Sequence, residues 1–377
     1  MKKMNVLWLT NCPSPYRVAF FSELGKYLKL TVLSENTMSQ QVHRNRKWFV
    51  ENYNNFKVIF LKQIKLGKLI INPEVIKYLN TKKYDFIVLG DYSTLTSILA
   101  AVFMRVGGVK YIISIDGAYE RQGGGVKEVI KRYIISHAFH YFSTSKTSDE
   151  YLIKYGAQES NITRYNFTSL NKDDILETKL SRKEKEKFRR ELKIEEEIAI
   201  LVVGRFVKSK GIDFVLNAAD CMPDEVGYYI VGDVPTADYL SIVRKKELKT
   251  VHFIRFQVKE ELKKYYKACD IFVFPTRYDP WGLVVNEAMA NGMPILSTDQ
   301  SAAALHFIQD NENGFLYKVD DKEDYIRKLK VMCSDLSLLN KMSEKNIDLI
   351  QDYSIEKMAE QHLVAFLALQ KEDLEKR

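Results

Sequence analysis

Residues 274–296 read FPTRYDPWGLVVNEAMANGMPIL. An apolar strand ends here, and the chain turns through Asp279, Trp281 and Gly282 into a helix of small residues that carries a second acid, Glu287. Open parallel sheets bind ligands beyond the carboxyl ends of their strands, where such turns lie. Two acids around a strand-to-helix turn therefore predict an α/β fold with a ligand site at this point.

Short apolar runs alternate with helical patterns in two series along the chain. Six candidate strands lie in the first series and five in the second. This alternation predicts parallel sheets with crossover helices. Between the series, the charge-rich segment 170–197 reads as a connector with a solvated helix. We expect two doubly wound domains, 1–170 and 171–377, with the helical stretch 355–369 able to pack back on the first.

Composition narrows the class of protein. The 57 basic and 49 acidic side chains leave a net charge of +8, which favours anionic partners such as phosphates or acidic lipid surfaces. The four cysteines form no CxxC pair, so neither a zinc site nor a disulfide framework is indicated. No apolar run is long enough for a signal peptide or a membrane span. We expect a cytoplasmic protein, which could also lie at the inner face of a membrane.

A second motif follows the candidate strand ILVVG. The chain continues as RFVKSKG, so Arg205 and Lys210 flank the entrance to a helix that begins near Gly211. Two cations beside a helix N-terminus form a favourable binding site for a diphosphate, because the backbone donors and both charges attract the same anion. The alternative is that both are ordinary surface cations.

The acidic turn could supply the other half of such a site. Asp279 and Glu287 can accept hydrogen bonds from sugar or ribose hydroxyls. The amides of Trp281, Gly282 and Leu283 lie near the helix start, where the helix itself provides no acceptor. The alternative is that Asp279 begins a turn before a proline and Glu287 faces solvent.

Together, VGRFVKSKG and DPWGLVVNEAMANGMPIL resemble the C-terminal half of the retaining family 4 glycosyltransferases, which have the GT-B fold. The shared pattern is Gly-Arg followed by Lys-Gly, and then two acids with seven residues between them, the second of which begins Glu-Ala-Met-Ala-x-Gly-x-Pro. The resemblance implies two Rossmann-like domains that face each other across a cleft. It also implies transfer of a sugar from a nucleotide-diphosphate donor to an acceptor hydroxyl, with a cell-surface polysaccharide or lipid-linked saccharide as the acceptor and no resident cofactor.

The resemblance assigns a role to each residue of the two motifs. Arg205 and Lys210 would hold the donor diphosphate, Glu287 the ribose, and Asp279 hydroxyls of the donor sugar. The family more often has Glu at the position of Asp279. The aspartate side chain is one methylene shorter, so its carboxylate reaches less far towards the sugar. In the first half, Asp116 stands where many relatives have His. It could bind a sugar hydroxyl or stabilise positive charge at the anomeric carbon, or it could simply turn the chain.

The first half departs from the family in its first loop, which reads NCPSPYR where many relatives carry a glycine pair. Ser14 or Arg17 could replace the missing phosphate contacts, although Arg17 could equally be a surface arginine. Segment 43–49, HRNRKWF, could touch a membrane surface or form a solvated loop. It accompanies no nucleic-acid reader motif. We find no third ligand beside His137 and His140 and no Asp-x-Asp motif, so we expect no metal site.

Two other functions fit the same motifs. A sugar-nucleotide epimerase of similar architecture would convert the donor without a separate acceptor. A non-catalytic subunit would bind the nucleotide sugar but never consume it, because its altered first loop has cost it catalysis. Product analysis would separate both from a glycosyltransferase.

Overall fold

The computed structural model describes residues 3–37, 52–67, 69–80, 82–119 and 124–375. The basic and aromatic segment 43–49 lies outside these described residues. The chain forms two compact units. Unit 1 comprises Met1–Ser169 and Tyr353–Arg377, and unit 2 comprises Leu170–Asp352. The chain therefore passes from one unit to the other twice.

Unit 1 is built on a seven-stranded parallel sheet with the order β3-β2-β1-β6-β7-β8-β9. Its strands are β1 (Asn5–Thr10), β2 (Lys29–Ser34), β3 (Lys57–Phe60), β6 (Phe86–Leu89), β7 (Ile112–Ser114), β8 (His140–Ser143) and β9 (Ile162–Arg164). An antiparallel hairpin consists of β4 (Ile64–Leu66) and β5 (Leu69–Ile71). The first four helices are α1 (Pro15–Leu24), α2 (Leu95–Val106), α3 (Val126–Ile135) and α4 (Lys146–Lys154).

Unit 2 is built on a six-stranded parallel sheet with the order β12-β11-β10-β13-β14-β15. Its strands are β10 (Ile198–Val203), β11 (Val226–Gly232), β12 (Val251–Arg255), β13 (Ile271–Phe274), β14 (Ile295–Thr298) and β15 (Gly314–Tyr317). Its helices are α5 (Arg182–Leu192), α6 (Ile212–Ala218), α7 (Ala237–Lys245), α8 (Lys259–Ala268), α9 (Leu283–Ala290), α10 (Ala302–Phe307), α11 (Lys322–Ser334) and α12 (Leu336–Ile350). Strands β10 and β13 are almost wholly apolar because helices cover both faces of such a sheet.

The last helix, α13 (Ile355–Glu375), belongs to unit 1. Its buried His362 lies among aromatic rings, with ring centroids 5.8 Å from Trp8 and 4.6 Å from Phe142. Aromatic burial of this kind is a large source of packing energy. The structure groups Tyr353–Arg377 with unit 1, whereas the sequence predicted a second domain over 171–377 with 355–369 able to pack back on the first.

The strand order determines where ligands could bind in each unit. In unit 2, β10 lies between β11 and β13, so the loops after β10 and β13 leave neighbouring strands at the same edge of the sheet. In unit 1, β1 lies between β2 and β6 in the same way. Such points, where the strand order reverses, are the usual ligand sites of open parallel sheets. Both sequence motifs of unit 2 fall at its switch point.

Candidate functional site

The loop after β10 carries the two predicted phosphate-binding cations. Arg205 is exposed, and among the described residues nothing pairs with its side chain. Lys210 ends the 3₁₀ turn Lys208–Lys210, and 17% of its side chain is exposed. Gly211 then adopts a φ of +67°, where an added Cβ would lie 1.9 Å from the carbonyl oxygen of Pro275. This position requires glycine because the loop lies directly against the chain that leaves β13.

The loop after β13 fixes Asp279 through the backbone. The Asp279 amide donates to the carbonyl of Gln300 at 3.0 Å, and Asp279 Oδ1 accepts from the amide of Trp281 at 3.2 Å. Gly282 follows with a φ of +102°, and an added Cβ there would lie 2.8 Å from the ring of Phe274. The carboxylate of Asp279 therefore sits on a loop that has little freedom to move.

The two loops meet through an ion pair between Lys210 Nζ and Asp279 Oδ2. The Asp279 side chain is 19% exposed, so the pair lies near the surface without being fully solvated. Lys210 Nζ also lies 5.6 Å from the centroid of the Phe274 ring. One predicted cation thus contacts one predicted acid, while the exposed Arg205 keeps its positive charge uncompensated among the described residues.

Arg277 links the same two loops by hydrogen bonds, and the sequence analysis did not identify it. Its amide donates to the carbonyl of Ser209, and its Nη1 donates to the carbonyl of Lys208, both at 2.8 Å. Its guanidinium also donates to Asp213 at 2.7 and 2.9 Å and to Asp320 at 2.9 and 3.0 Å. Hydrogen bonds to these two acids raise the pKa of Arg277. Its place inside the acidic motif was the available signal, but its side-chain partners lie 43 to 69 residues away.

Glu287 lies in the second turn of α9, on the partly exposed face that also carries Leu283. The buried hydroxyl of Tyr266, on α8, donates to Glu287 Oε2 at 2.9 Å. Burial, followed by the charge of Glu287, raises the pKa of Tyr266 well above its usual value. The hydroxyl therefore stays a donor and orients the carboxylate. Sequence reasoning missed Tyr266 as well, because nothing in the motif marks a residue 21 positions earlier.

The predicted amides at the start of α9 fall into two groups. The Trp281 amide donates to Asp279, and the Trp281 indole donates to Asn286 at 2.8 Å, so this residue is engaged within the loop. Among the described residues, no acceptor takes the amides of Gly282 and Leu283. These are the N-cap and first positions of the helix, where orphan donors and the positive end of the helix dipole coincide.

In unit 1, Asp116 lies just after β7 in a buried polar cluster. Its Oδ2 accepts from Arg17 at 2.6 Å and from the Tyr16 hydroxyl at 2.9 Å, and its Oδ1 accepts from the Tyr165 hydroxyl at 3.5 Å. Arg17 also donates to the carbonyl of Gly90 at 3.3 Å. Burial raises the pKa of the Asp116 carboxyl, and the Arg17 guanidinium opposes this shift. Arg17 is therefore a buried partner of Asp116 and not a surface arginine.

A small pocket, with Trp8 and His362 among its lining residues, adjoins this cluster. Burial lowers the pKa of His362 to about 4, so its ring is neutral near pH 7. Its Nδ1 lies 2.8 Å from the carbonyl oxygen of Met358. A largely aromatic wall and a neutral ring thus place the Asp116 carboxyl beside an apolar interior, which is the physical origin of its raised pKa.

The structure places the predicted site residues as follows. Lys210 and Asp279 are in contact, and Arg205 lies in the loop of Lys210. Glu287 lies on the helix that starts from the loop of Asp279, and Asp116 lies in the other unit. Within the described ranges, no group of three or more His, Cys, Asp or Glu side chains could hold a metal ion. In the same ranges, no helix combines the length and apolar character needed to cross a membrane.

Comparison with known proteins bears on the segment that holds both motifs. Residues 183–348 match the profile of the family Glycosyl transferases group 1. The profile covers both motifs of unit 2 but less than half of the chain. The chain is 29% identical, over 58% of either length, to an uncharacterized glycosyltransferase, MJ1607, of Methanocaldococcus jannaschii. It is 28% identical to the lipopolysaccharide core biosynthesis glycosyltransferase LpsE of Rhizobium meliloti, over 44% of this chain and 48% of LpsE. The chain thus spans about half the length of these relatives.

The fold has solved counterparts. A crystal structure of Anabaena Alr3699/HepE in complex with UDP aligns with 97% of this chain and all of its own, with a TM-score of 0.76 and 16% identity. The GT-B fold predicted from the sequence is confirmed by this similarity, and the family profile confirms the group 1 resemblance. The retaining subclass and the role of each site residue stay predictions.

Proposed function

We propose that this protein is a retaining glycosyltransferase that moves a sugar, a hexose or a related one, from a nucleotide-diphosphate donor to an acceptor hydroxyl. The observation that carries the proposal is the ion pair between Lys210 and Asp279, next to the exposed Arg205, inside a group 1 glycosyltransferase segment. It joins a phosphate-binding charge and a sugar-binding carboxylate at one edge of one sheet. A nucleotide-diphosphate sugar carries anionic phosphates and sugar hydroxyls, which a cation and a carboxylate can bind.

The proposed donor phosphates lie against the loop after β10. Arg205 and Lys210 would stabilise the negative charge that grows on the leaving diphosphate. Because Lys210 already contacts Asp279, an arriving phosphate would share the ammonium group with that carboxylate. The amides of Gly282 and Leu283 add donors at the positive end of α9. In this proposal positive side chains and backbone amides hold the diphosphate, and neither a metal ion nor a resident cofactor takes part.

The proposed sugar and ribose contacts come from the two acids. Asp279 would accept hydrogen bonds from hydroxyls of the donor sugar, and its rigid loop would fix their direction. Glu287, oriented by Tyr266, would accept hydrogen bonds from the ribose. The HepE structure, which is a complex with UDP, supports a nucleotide-bound site in a protein of this fold.

The proposed role of Asp116 is electrostatic. Departure of the diphosphate leaves positive charge on the sugar ring, and a carboxylate held by Arg17 and two tyrosines is preorganised to offset it. The alternative role within the same proposal is a hydrogen bond to a sugar hydroxyl. The electrostatic role needs Asp116 ionised, and the 2.6 Å contact with Arg17 favours that form.

The proposed acceptor is a cell-surface polysaccharide or a lipid-linked saccharide. The name of LpsE, a lipopolysaccharide core biosynthesis glycosyltransferase, supports an acceptor of this kind. The net charge of +8 suits an anionic surface. We place the protein in the cytoplasm, with peripheral contact at the inner face of a membrane.

A donor screen tests the proposal. The protein is incubated with UDP-, GDP- and other nucleotide sugars, with and without saccharide acceptors, and release of the nucleoside diphosphate is measured. We expect one donor to be consumed faster with an acceptor, and the product to keep the donor's anomeric configuration by NMR. Conversion of the donor alone into an isomer would instead identify an epimerase. Nucleotide binding without consumption of any donor would identify a non-catalytic subunit.

A further inference from the structure

Two neighbouring helices of unit 1 expose large apolar side chains. Val106 on α2 is 81% exposed, and Val126 and Val129 on α3 are 75% and 69% exposed. Phe103 and Tyr133 on the same two helices are exposed as well. Single exposed apolar residues are common, but a group of them on adjacent helices indicates an interaction surface.

The spacing shows that each helix presents a second apolar face. On α3 the exposed positions 126, 129 and 133 follow the i, i+3, i+7 pattern of one face, whereas Ile134 and Ile135 are buried in the core of unit 1. On α2 the exposed positions 102, 103 and 106 lie opposite the buried Ala100, Ala101 and Met104. The core therefore does not explain the outward apolar residues.

A direct contact joins the two exposed faces into one surface. The guanidinium of Arg105, on α2, lies 3.7 Å from the centroid of the Tyr133 ring on α3. Arg105 Nη1 also lies 3.5 Å from the carbonyl oxygen of Tyr133. We name the exposed side chains of residues 102, 103, 106, 126, 129 and 133 the α2–α3 face, whose two helices this contact joins at Tyr133.

Basic residues border the α2–α3 face. Helix α2 has no acidic residue, and α3 has one, Glu128, which Lys131 engages at 3.1 Å. Lys127 and Arg132 on α3 are exposed, and no described carboxylate pairs with them. Apolar side chains with Lys and Arg beside them are the composition of helices that lie in the interface of an anionic membrane.

We propose that the α2–α3 face docks unit 1 onto a membrane surface that contains anionic phospholipids. The valines and Phe103 would enter the boundary of the acyl chains, and Lys127 and Arg132 would contact lipid phosphates. Charge complementarity favours this partner over a second copy of the chain, because two such faces would bring like charges together. The proposed function includes contact with a membrane, and this proposal assigns that contact to named residues. Its biological meaning therefore rests on the proposed function.

Vesicle sedimentation of the full chain tests the proposal. Wild-type protein is mixed with phosphatidylcholine vesicles with or without phosphatidylglycerol, at low and high salt. We expect binding to the anionic vesicles that weakens with salt. Lys127→Gln with Arg132→Gln should weaken binding roughly 30-fold, from about 1 kcal/mol per charge. Val126→Ser with Val129→Ser should also weaken it, with less change in its salt dependence.

A matched control separates the α2–α3 face from the remaining apolar surface of unit 1. Val364→Ser with Leu367→Ser removes two exposed apolar side chains from α13 of the same unit, and should bind vesicles like wild type. Equal vesicle binding by the wild type and both α2–α3 variants would overturn the proposal, as would no binding to anionic vesicles. Sedimentation velocity that shows a dimer lost in the same variants would make the face a contact between copies and would also overturn it.

The donor screen keeps this test distinct from that of the proposed function. Both α2–α3 variants should consume donor with a water-soluble acceptor at the wild-type rate, because the face lies outside the proposed donor site. If the wild-type protein bound vesicles but consumed no donor, the membrane-docking proposal would be supported and the proposed transferase function would be contradicted. Donor consumption without vesicle binding would do the reverse. Thermal unfolding curves show whether each variant is folded before it is compared.

Discussion

Each unit holds a cation and a carboxylate together near the carboxyl ends of its strands, but in different surroundings. In unit 1, the side chains of Arg17 and Asp116 are 8% and 23% exposed, and two tyrosine hydroxyls and a backbone carbonyl complete their network. In unit 2, Lys210 and Asp279 are 17% and 19% exposed, and the uncompensated Arg205 lies in the same loop. The first arrangement satisfies its own charges, whereas the second keeps positive charge available for a ligand.

This difference indicates that the two ion pairs have different roles. Arg17 Nη2 donates to both Asp116 and Gly90, so Arg17 is better suited to hold that acid than to bind phosphate. Among the described residues of unit 2, the loop after β10 has a free guanidinium, and the start of α9 has two amides without acceptors. Changes in unit 1 should therefore act first on stability, and changes in unit 2 should act first on binding and turnover.

The largest effect should come from Arg17→Ala. It removes a buried guanidinium from a carboxylate that is 23% exposed, and breaking a fully buried pair of this kind costs about 3–5 kcal/mol, which is the upper limit here. The free energy of unfolding from denaturant titration measures the loss. Asp116→Asn keeps an acceptor for the tyrosine hydroxyl and should lose less stability, while transfer falls and nucleotide binding survives. If the Arg17→Ala protein were as stable as wild type, the claim that the unit 1 ion pair acts mainly on stability would be contradicted.

Arg205→Ala should act on turnover and not on folding. Loss of one preorganised electrostatic donor lowers kcat by roughly 10²-fold, whereas an exposed side chain with no described partner contributes little to stability. Steady-state kinetics at saturating donor, together with thermal unfolding, give both readouts. Arg190→Ala on α5 removes another exposed arginine of unit 2 and should leave kcat unchanged. Wild-type turnover in Arg205→Ala would remove this residue from the site.

Glu287→Ala should mainly weaken nucleotide binding. A hydrogen bond to a charged group is worth about 1.5–3 kcal/mol, so the dissociation constant should rise roughly tenfold or more. The kcat at saturating donor should change little, because the ribose contact is the same in ground and transition states. Calorimetry with a nucleotide that lacks the ribose hydroxyls should give equal affinities for variant and wild type. If the variant lost affinity for that nucleotide too, Glu287 would act elsewhere than on the ribose.

Tyr266→Phe should give the smallest of these effects. It removes the hydroxyl that orients Glu287 and should cost about 1 kcal/mol, or roughly fivefold in nucleotide affinity. Tyr265→Phe, at the neighbouring buried position of α8, is the matched control and should bind nucleotide as wild type does. In a Glu287→Ala background, Tyr266→Phe should add nothing further. Additive losses would show that Tyr266 acts by another route.

Local patterns in the sequence were enough to predict the parallel sheets and the two motif loops of unit 2. Alternating apolar runs predicted sheets with crossover helices, and the structure places the motifs after the adjacent strands β10 and β13. The adjacency of Lys210 and Asp279 follows from that strand order, because both residues lie just beyond the same edge of the sheet.

The sequence did not reveal the partners that join distant segments. Arg17 meets Asp116 across 99 residues, and Tyr266 meets Glu287 across 21. These contacts depend on strand order and helix rotation, which apolar patterns do not specify. The docking of α13 on unit 1 was foreseen as an option, but its buried His362 was not, since a lone histidine in a helix gives no sign of the rings around it.

The most direct test of the proposed site in unit 2 is calorimetric titration with nucleoside diphosphates and the matching nucleoside monophosphates. UDP and GDP should each be compared with UMP and GMP, in the wild type and in a variant that carries both Arg205→Ala and Lys210→Ala. We predict that one wild-type diphosphate binds more tightly than its monophosphate and that the variant loses this preference. An unchanged preference for the diphosphate in the variant would contradict the assignment of these two cations to the donor phosphates.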